Sequence, residues 1–132
     1  MPPAIATRIV VGREPNDCAV CVIAMYLGVS YEDVLREVAV RDRPNQGRQG
    51  LRLREIERIA RALGTPLKRH RKFDVAAAYG VLSLPNHVVL LRSGMIIDPE
   101  PGGGSVWEVE DYFHAYNVRP GLLLVASEDG SA

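Results

Sequence analysis

Two cysteines, three histidines and sixteen aspartate and glutamate residues are the groups best able to do covalent or proton-transfer chemistry in this 132-residue chain. Cys18 opens an apolar stretch that runs through Ala19, Val20, Cys21, Val22, Ile23, Ala24 and Met25. A cysteine in the first turn of a helix meets amide N–H groups with no intrahelical partner and the positive end of the helix dipole, and both favour the thiolate. Nucleophilic catalysis by such a sulfur needs a base within hydrogen-bond reach and a third group that fixes the base's tautomer. His70 sits among Lys68, Arg69, Arg71 and Lys72, where neighbouring positive charge opposes an imidazolium, and His114 falls on a surface helix, so both read as solvated. His87 differs, because it begins the apolar run Val88-Val89-Leu90-Leu91 and Asp98 ends the run that returns after Ser93-Gly94. Pairing about that two-residue turn sets Arg92 opposite Met95. Continued outward, it puts Asp98 opposite Val89 and diagonal to His87, on one face of neighbouring strands.

The elements that must hold these groups follow from the pattern. The stretch 18–27 is apolar all round, which predicts a buried helix, with Asn16 or Asp17 as its cap and Gly28 at its left-handed end. Ser30 followed by Asp33 predicts a second helix over 31–40, with Val34, Leu35 and Val38 inward. A third, amphipathic helix over 53–63 places Leu53, Ile56, Ile59, Ala60 and Leu63 inward and its arginines outward. Short strands are expected at 5–11, 66–71 and 121–125, a single-turn helix capped by Asp74 at 75–79, a hairpin over 86–98 and a helix over 108–116. Residues 41–50 and 99–105, rich in Gly, Pro and polar residues, read as loops able to border a cleft. The fold class expected is α+β: helices first, then an antiparallel sheet, in one domain over 1–132 with 1–7 and 127–132 flexible.

Composition bounds the setting. Hydrophobic residues at 47% and charged ones at 24% suit a globular protein. No apolar run approaches bilayer length and the N-terminus lacks secretory-signal features, so a cytoplasmic location is expected. A formal net charge of zero hides an asymmetry: Arg36 to Lys72 holds twelve Lys and Arg against four Asp and Glu, leaving four against twelve elsewhere. Either these charges pair with the acidic remainder on a solvated face, or they meet an acidic partner. No aromatic residues interleave with them, which argues against nucleic acid.

The segments Asn16 to Met25, Ile59 to Gly64, Pro85-Asn86-His87-Val88-Val89-Leu90-Leu91, Ile96-Ile97-Asp98-Pro99 and Gly102, in this order, resemble the papain-like cysteine peptidases of the bacteriocin-processing, double-glycine type. Those form the peptidase domain of peptide exporters, and stand-alone relatives occur in bacteria and phages. The resemblance spans about residues 13–125, with Trp107 and Tyr112-Phe113 before the last strand. It implies a papain-like fold and a Cys-His-Asp triad in which Cys18 attacks a carbonyl, His87 accepts and returns the proton, and Asp98 orients His87. It also implies peptide or isopeptide substrates with a Gly-Gly preference, and no cofactor.

Two positions depart from the family pattern. Ala19 stands where the family usually has glycine, a mild change. No glutamine lies between Arg8 and Cys18, where the family carries one whose amide helps bind the oxyanion. Glu14 would repel that charge, whereas Asn16 could donate an N–H beside the Cys18 backbone amide. Losing one such donor costs about a hundredfold to a thousandfold in rate. The rival reading is therefore a weakly active or inactive papain-like domain that binds a peptide or protein. Cys18-x-x-Cys21 also fits a thiol-disulfide oxidoreductase, although position i+3 turns Cys21 toward the core. A zinc site is weaker still, since the histidines lack the paired spacing of metal ligands.

Overall fold

The structure, a computed structural model, describes residues 18–41, 52–85, 87–99 and 105–127. Among them are four helices and a six-stranded sheet of order β1-β6-β2-β3-β4-β5, every neighbouring pair antiparallel. The α+β class expected from the pattern is the class found. No helix of the described residues is long and apolar enough to cross a membrane.

Helix α1 (Cys18–Leu27) is enclosed because it has no polar face to offer water, and Ala19 through Met25 are all buried. It ends at Gly28, whose φ of 71° is the left-handed conformation glycine adopts without strain, and the Val29 N–H closes on the Ala24 carbonyl at 3.1 Å. Ser30 then starts α2 (Tyr31–Arg41), its hydroxyl accepting from the Asp33 N–H at 3.0 Å. Val34 and Val38 are buried as the pattern predicts, but Leu35 is 42% exposed. The inward stripe of α2 passes through Tyr31, Val34 and Val38, three and four residues apart, and Leu35 falls beside it. Helix α3 (Leu53–Ala62) buries Ile56, Ile59 and Ala60 and exposes Arg54, Arg58 and Arg61.

Strands β1 (Leu67–His70), β2 (Tyr79–Leu84), β3 (His87–Arg92), β4 (Met95–Asp98), β5 (Ser105–Glu108) and β6 (Leu123–Ala126) form the sheet, with α4 (Val109–Tyr116) before the last strand. On one face Val81, Val88, Leu90, Ile97 and Leu124 join the core of α1, α2 and α3. On the other Leu82, Leu84, Val89, Leu91, Ile96 and Leu123 pack with Val109 and Tyr112 of α4. The alternation along each strand divides these two sets, as a sheet covered on both faces requires.

The hairpin is the element on which the site depends. Ser93 and Gly94 have φ of 45° and 83°, positive at both central positions as a type I′ turn needs. Arg92 pairs with Met95, Leu91 with Ile96 and Leu90 with Ile97, the register expected from the turn.

Three local expectations need correction. The single-turn helix at 75–79 is a turn, held by Asp74, whose side chain accepts from the Ala76 N–H and whose carbonyl accepts from the Ala77 and Ala78 N–H groups. Tyr79 instead begins β2, a central strand that the pattern left unassigned. Its Gly80 lies where a Cβ would come within 2.5 Å of the Leu124 carbonyl oxygen, so the glycine reflects the close approach of β6 and not a break. Strand β5 replaces the end of the loop expected over 99–105, and the last strand begins at Leu123, two residues later than expected. The strand expected at 5–11, loop residues 42–50 and 100–104, and the terminal segments 1–7 and 128–132 lie outside the described residues.

Candidate active site

The elements converge at one end of the sheet. Cys18 is the first residue of α1 and is partly exposed, although the seven residues after it are buried. His87 is the first residue of β3 and Asp98 the last of β4, so the hairpin brings its two open ends together. Extending the observed register by one step sets Val89 opposite Asp98, with His87 one pleat further on the same face. The two side chains meet there: His87 Nε2 lies 2.9 Å from Asp98 Oδ1.

The side chain of Asp98 is 3% exposed and that of His87 31%. A carboxylate buried to that degree needs hydrogen-bond donors. His87 supplies one and the Tyr112 hydroxyl supplies a second, donating to Asp98 Oδ2 at 2.7 Å. On the other side the ring is within electrostatic reach of the Cys18 side chain. Because Nε2 is engaged by Asp98, Nδ1 is the nitrogen left for the sulfur. The bond with Asp98, and then the nearby Cys18 side chain, push the His87 pKa up to about 10 from 6.5, against partial burial, which pulls it down. At neutral pH the ring is therefore a cation set between a carboxylate and a sulfur. Such an arrangement can hold a thiolate next to its counter-ion and present a proton to a leaving group.

Of the residues singled out in the sequence, Cys18, His87 and Asp98 are brought together. His70, on β1, is separated from β3 by β6 and β2, and His114 is exposed on α4. Cys21 is fully buried in the core of α1, and neither cysteine forms a disulfide. Among the described residues no group of three or more His, Cys, Asp or Glu is placed to hold a metal ion. Asn16 and Glu14, the residues weighed for the oxyanion, lie outside the described residues. The basic segment is partly paired: Arg69 bonds both carboxylate oxygens of Glu57, at 2.8 and 3.0 Å, and Arg36 meets Asp33 at 3.2 Å. Lys68, Arg71 and Lys72 are exposed beside them.

Tyr112 is the site residue that the sequence reading missed. The signal was present, since Val109 and Tyr112 are three apart on the inward face of α4, and a tyrosine buried there needs a partner for its hydroxyl.

No protein-family model matches this sequence, and comparison with curated proteins gives no significant match. Among solved structures the chain is similar to one described as the crystal structure of a double glycine motif protease from an AMS/PCAT transporter in complex with the leader peptide. The TM-score is 0.60 at 17% sequence identity, over 92% of this chain and 92% of that one. The described sheet and helices thus have the papain-like α+β fold of a double-glycine protease domain.

Proposed function

We propose that this chain is a cysteine peptidase, or a related amide or isopeptide hydrolase, working through Cys18, His87 and Asp98. What supports the reading is the 2.9 Å contact between His87 and Asp98, with Cys18 at the head of a buried helix close enough to the His87 ring to help raise its pKa. The fold shared with a double-glycine protease supports it.

In this reading the Cys18 sulfur attacks the scissile carbonyl carbon, and the carbonyl π pair moves to oxygen. The oxyanion meets the Cys18 backbone N–H in the first turn of α1, and Asn16 is the side chain proposed to join it. Collapse breaks the C–N bond while His87 gives its proton to the departing amine, leaving a thioester on Cys18. Water then attacks the thioester as His87 takes its proton, and the carboxylic acid departs with the thiolate restored. Asp98 holds the ring in place and stabilises its cationic form throughout.

A peptide substrate agrees with the neighbour's crystallisation with a leader peptide, and a Gly-Gly preference agrees with the family resemblance. Asp98 pairs with Ser105 beside the proposed site, and the segments 41–50 and 99–105 are those we assign to substrate selection. An acidic partner is proposed for the exposed Lys68, Arg71 and Lys72, and a cytoplasmic location for the whole.

A peptide vinyl sulfone ending in Gly-Gly tests this directly. The expected result is one adduct, on Cys18, that Cys18→Ala abolishes. A protein that binds the same peptide unmodified yet never forms the adduct would instead be the binding module suggested by the absent upstream glutamine.

A further inference from the structure

The far side of Asp98 is as carefully held as the side that meets His87. A carboxylate turns about its terminal torsion with little intrinsic preference, so the direction of Oδ1 must be imposed by what holds Oδ2. The Tyr112 hydroxyl is 2.7 Å from Oδ2, the length of a charge-assisted O–H···O⁻ bond, and both residues are buried, at 3% and 2% exposure. The tyrosine ring is itself confined. Trp107 meets it edge-on at 5.7 Å between centroids, and Tyr116 lies tilted against it at 4.6 Å. The first turn of α4 is tied to the hairpin, because the Val109 N–H donates to the Gly94 carbonyl at 2.9 Å. The same hairpin thus carries His87 and Asp98 on its strands and anchors the helix that carries Tyr112.

We propose that Tyr112 is a positioning residue: its hydroxyl fixes Oδ2 of Asp98 so that Oδ1 faces His87, and through that carboxylate it sets the orientation of the ring toward Cys18. The inference rests on the Cys18, His87 and Asp98 reading above. Acting on the ring are Asp98 from β4 and Cys18 from α1, with Tyr112 from α4 behind Asp98. Glu108, Glu110, Asp111 and His114 on and beside α4 are exposed. Without the tyrosine O–H, a buried oxygen loses its donor and the carboxylate gains freedom to turn away.

Tyr112→Phe keeps the ring and removes only the hydroxyl. The test follows the titration of His87 by NMR, with the rate of Cys18 alkylation by iodoacetamide as a second readout. The expected result is that the His87 midpoint falls from about 10 toward 6.5 by about one unit, a tenfold weaker hold on the proton. Alkylation at neutral pH should slow by about the same factor. Trp107→Phe, which keeps an aromatic ring against Tyr112 and leaves its hydroxyl, should move the midpoint much less than Tyr112→Phe. An unchanged midpoint in folded Tyr112→Phe overturns the inference, and so does an equal fall in Trp107→Phe, which would assign the effect to packing. A wild-type midpoint near 6.5 overturns it in another way, because then Asp98 does not engage His87 and the catalytic reading itself has failed.

Discussion

The two faces of the sheet hold their contributions to the site by different physics. On the face covered by α1, α2 and α3, Cys18 is placed by a helix whose next seven residues are buried against valines, leucines and isoleucines. That placement is spread over many apolar contacts, each individually small. On the face covered by α4, Asp98 is placed by two hydrogen bonds, one to His87 and one from Tyr112, within a smaller core that includes aromatic rings. There the geometry rests on single atoms. The contrast implies that changes around Cys18 act through stability, whereas changes around Asp98 act on the proposed chemistry while the fold persists.

Breaking the chemistry at either end should have the largest effects. Cys18→Ala should lower turnover by at least about a thousandfold with the fold intact, measured as peptide hydrolysis alongside circular dichroism. Asp98→Asn keeps the shape of the side chain but removes its charge, and a loss of about a thousandfold to ten-thousandfold is expected. In that variant the His87 midpoint should fall from about 10 toward 6.5, which NMR titration would read.

Changes on the helical face sharpen the comparison from the other side. Ile23→Ala, at a residue 1% exposed in the middle of α1, should cost about 2–5 kcal/mol in urea unfolding. The alkylation rate of Cys18 in the molecules that remain folded should change little. Raising the pH should have a milder effect. A histidine whose folded pKa lies above its unfolded value contributes stability that is fully present below about 6.5 and is lost as pH rises through about 10. Wild-type stability relative to His87→Ala should therefore decline between those values, seen in unfolding curves at pH 6, 8 and 10. The smallest effect is expected at Leu35, 42% exposed on α2, where Leu35→Ala should change stability by no more than about 0.5 kcal/mol.

Much of this was legible without coordinates. The bounds of α1 followed from an uninterrupted apolar run closed by Gly28, and the register of β3 and β4 from the two turn residues Ser93 and Gly94, which left no freedom to slip. Strand β2 was hidden because Tyr79 read as the end of a single-turn helix with a glycine after it, and Gly80 is explained only once β6 is seen pressing on it. Strand β5 was hidden because Ser105 to Glu108 is only four residues long and follows a glycine-rich segment, so its pairing with β4 is a tertiary fact that no local period announces. The bond from Tyr112 to Asp98 joins residues fourteen apart on different elements, and periodicity could say only that the tyrosine faced inward.

The most direct test of the account is the rate at which each cysteine is alkylated by iodoacetamide at pH 6, resolved by mass spectrometry of the peptides carrying Cys18 and Cys21. With Cys18 beside a protonated His87, Cys18 should react fast, His87→Ala should slow it by at least about tenfold, and buried Cys21 should remain unmodified until the protein unfolds. Slow labelling of Cys18, equal to that of Cys21 and indifferent to His87, would contradict it.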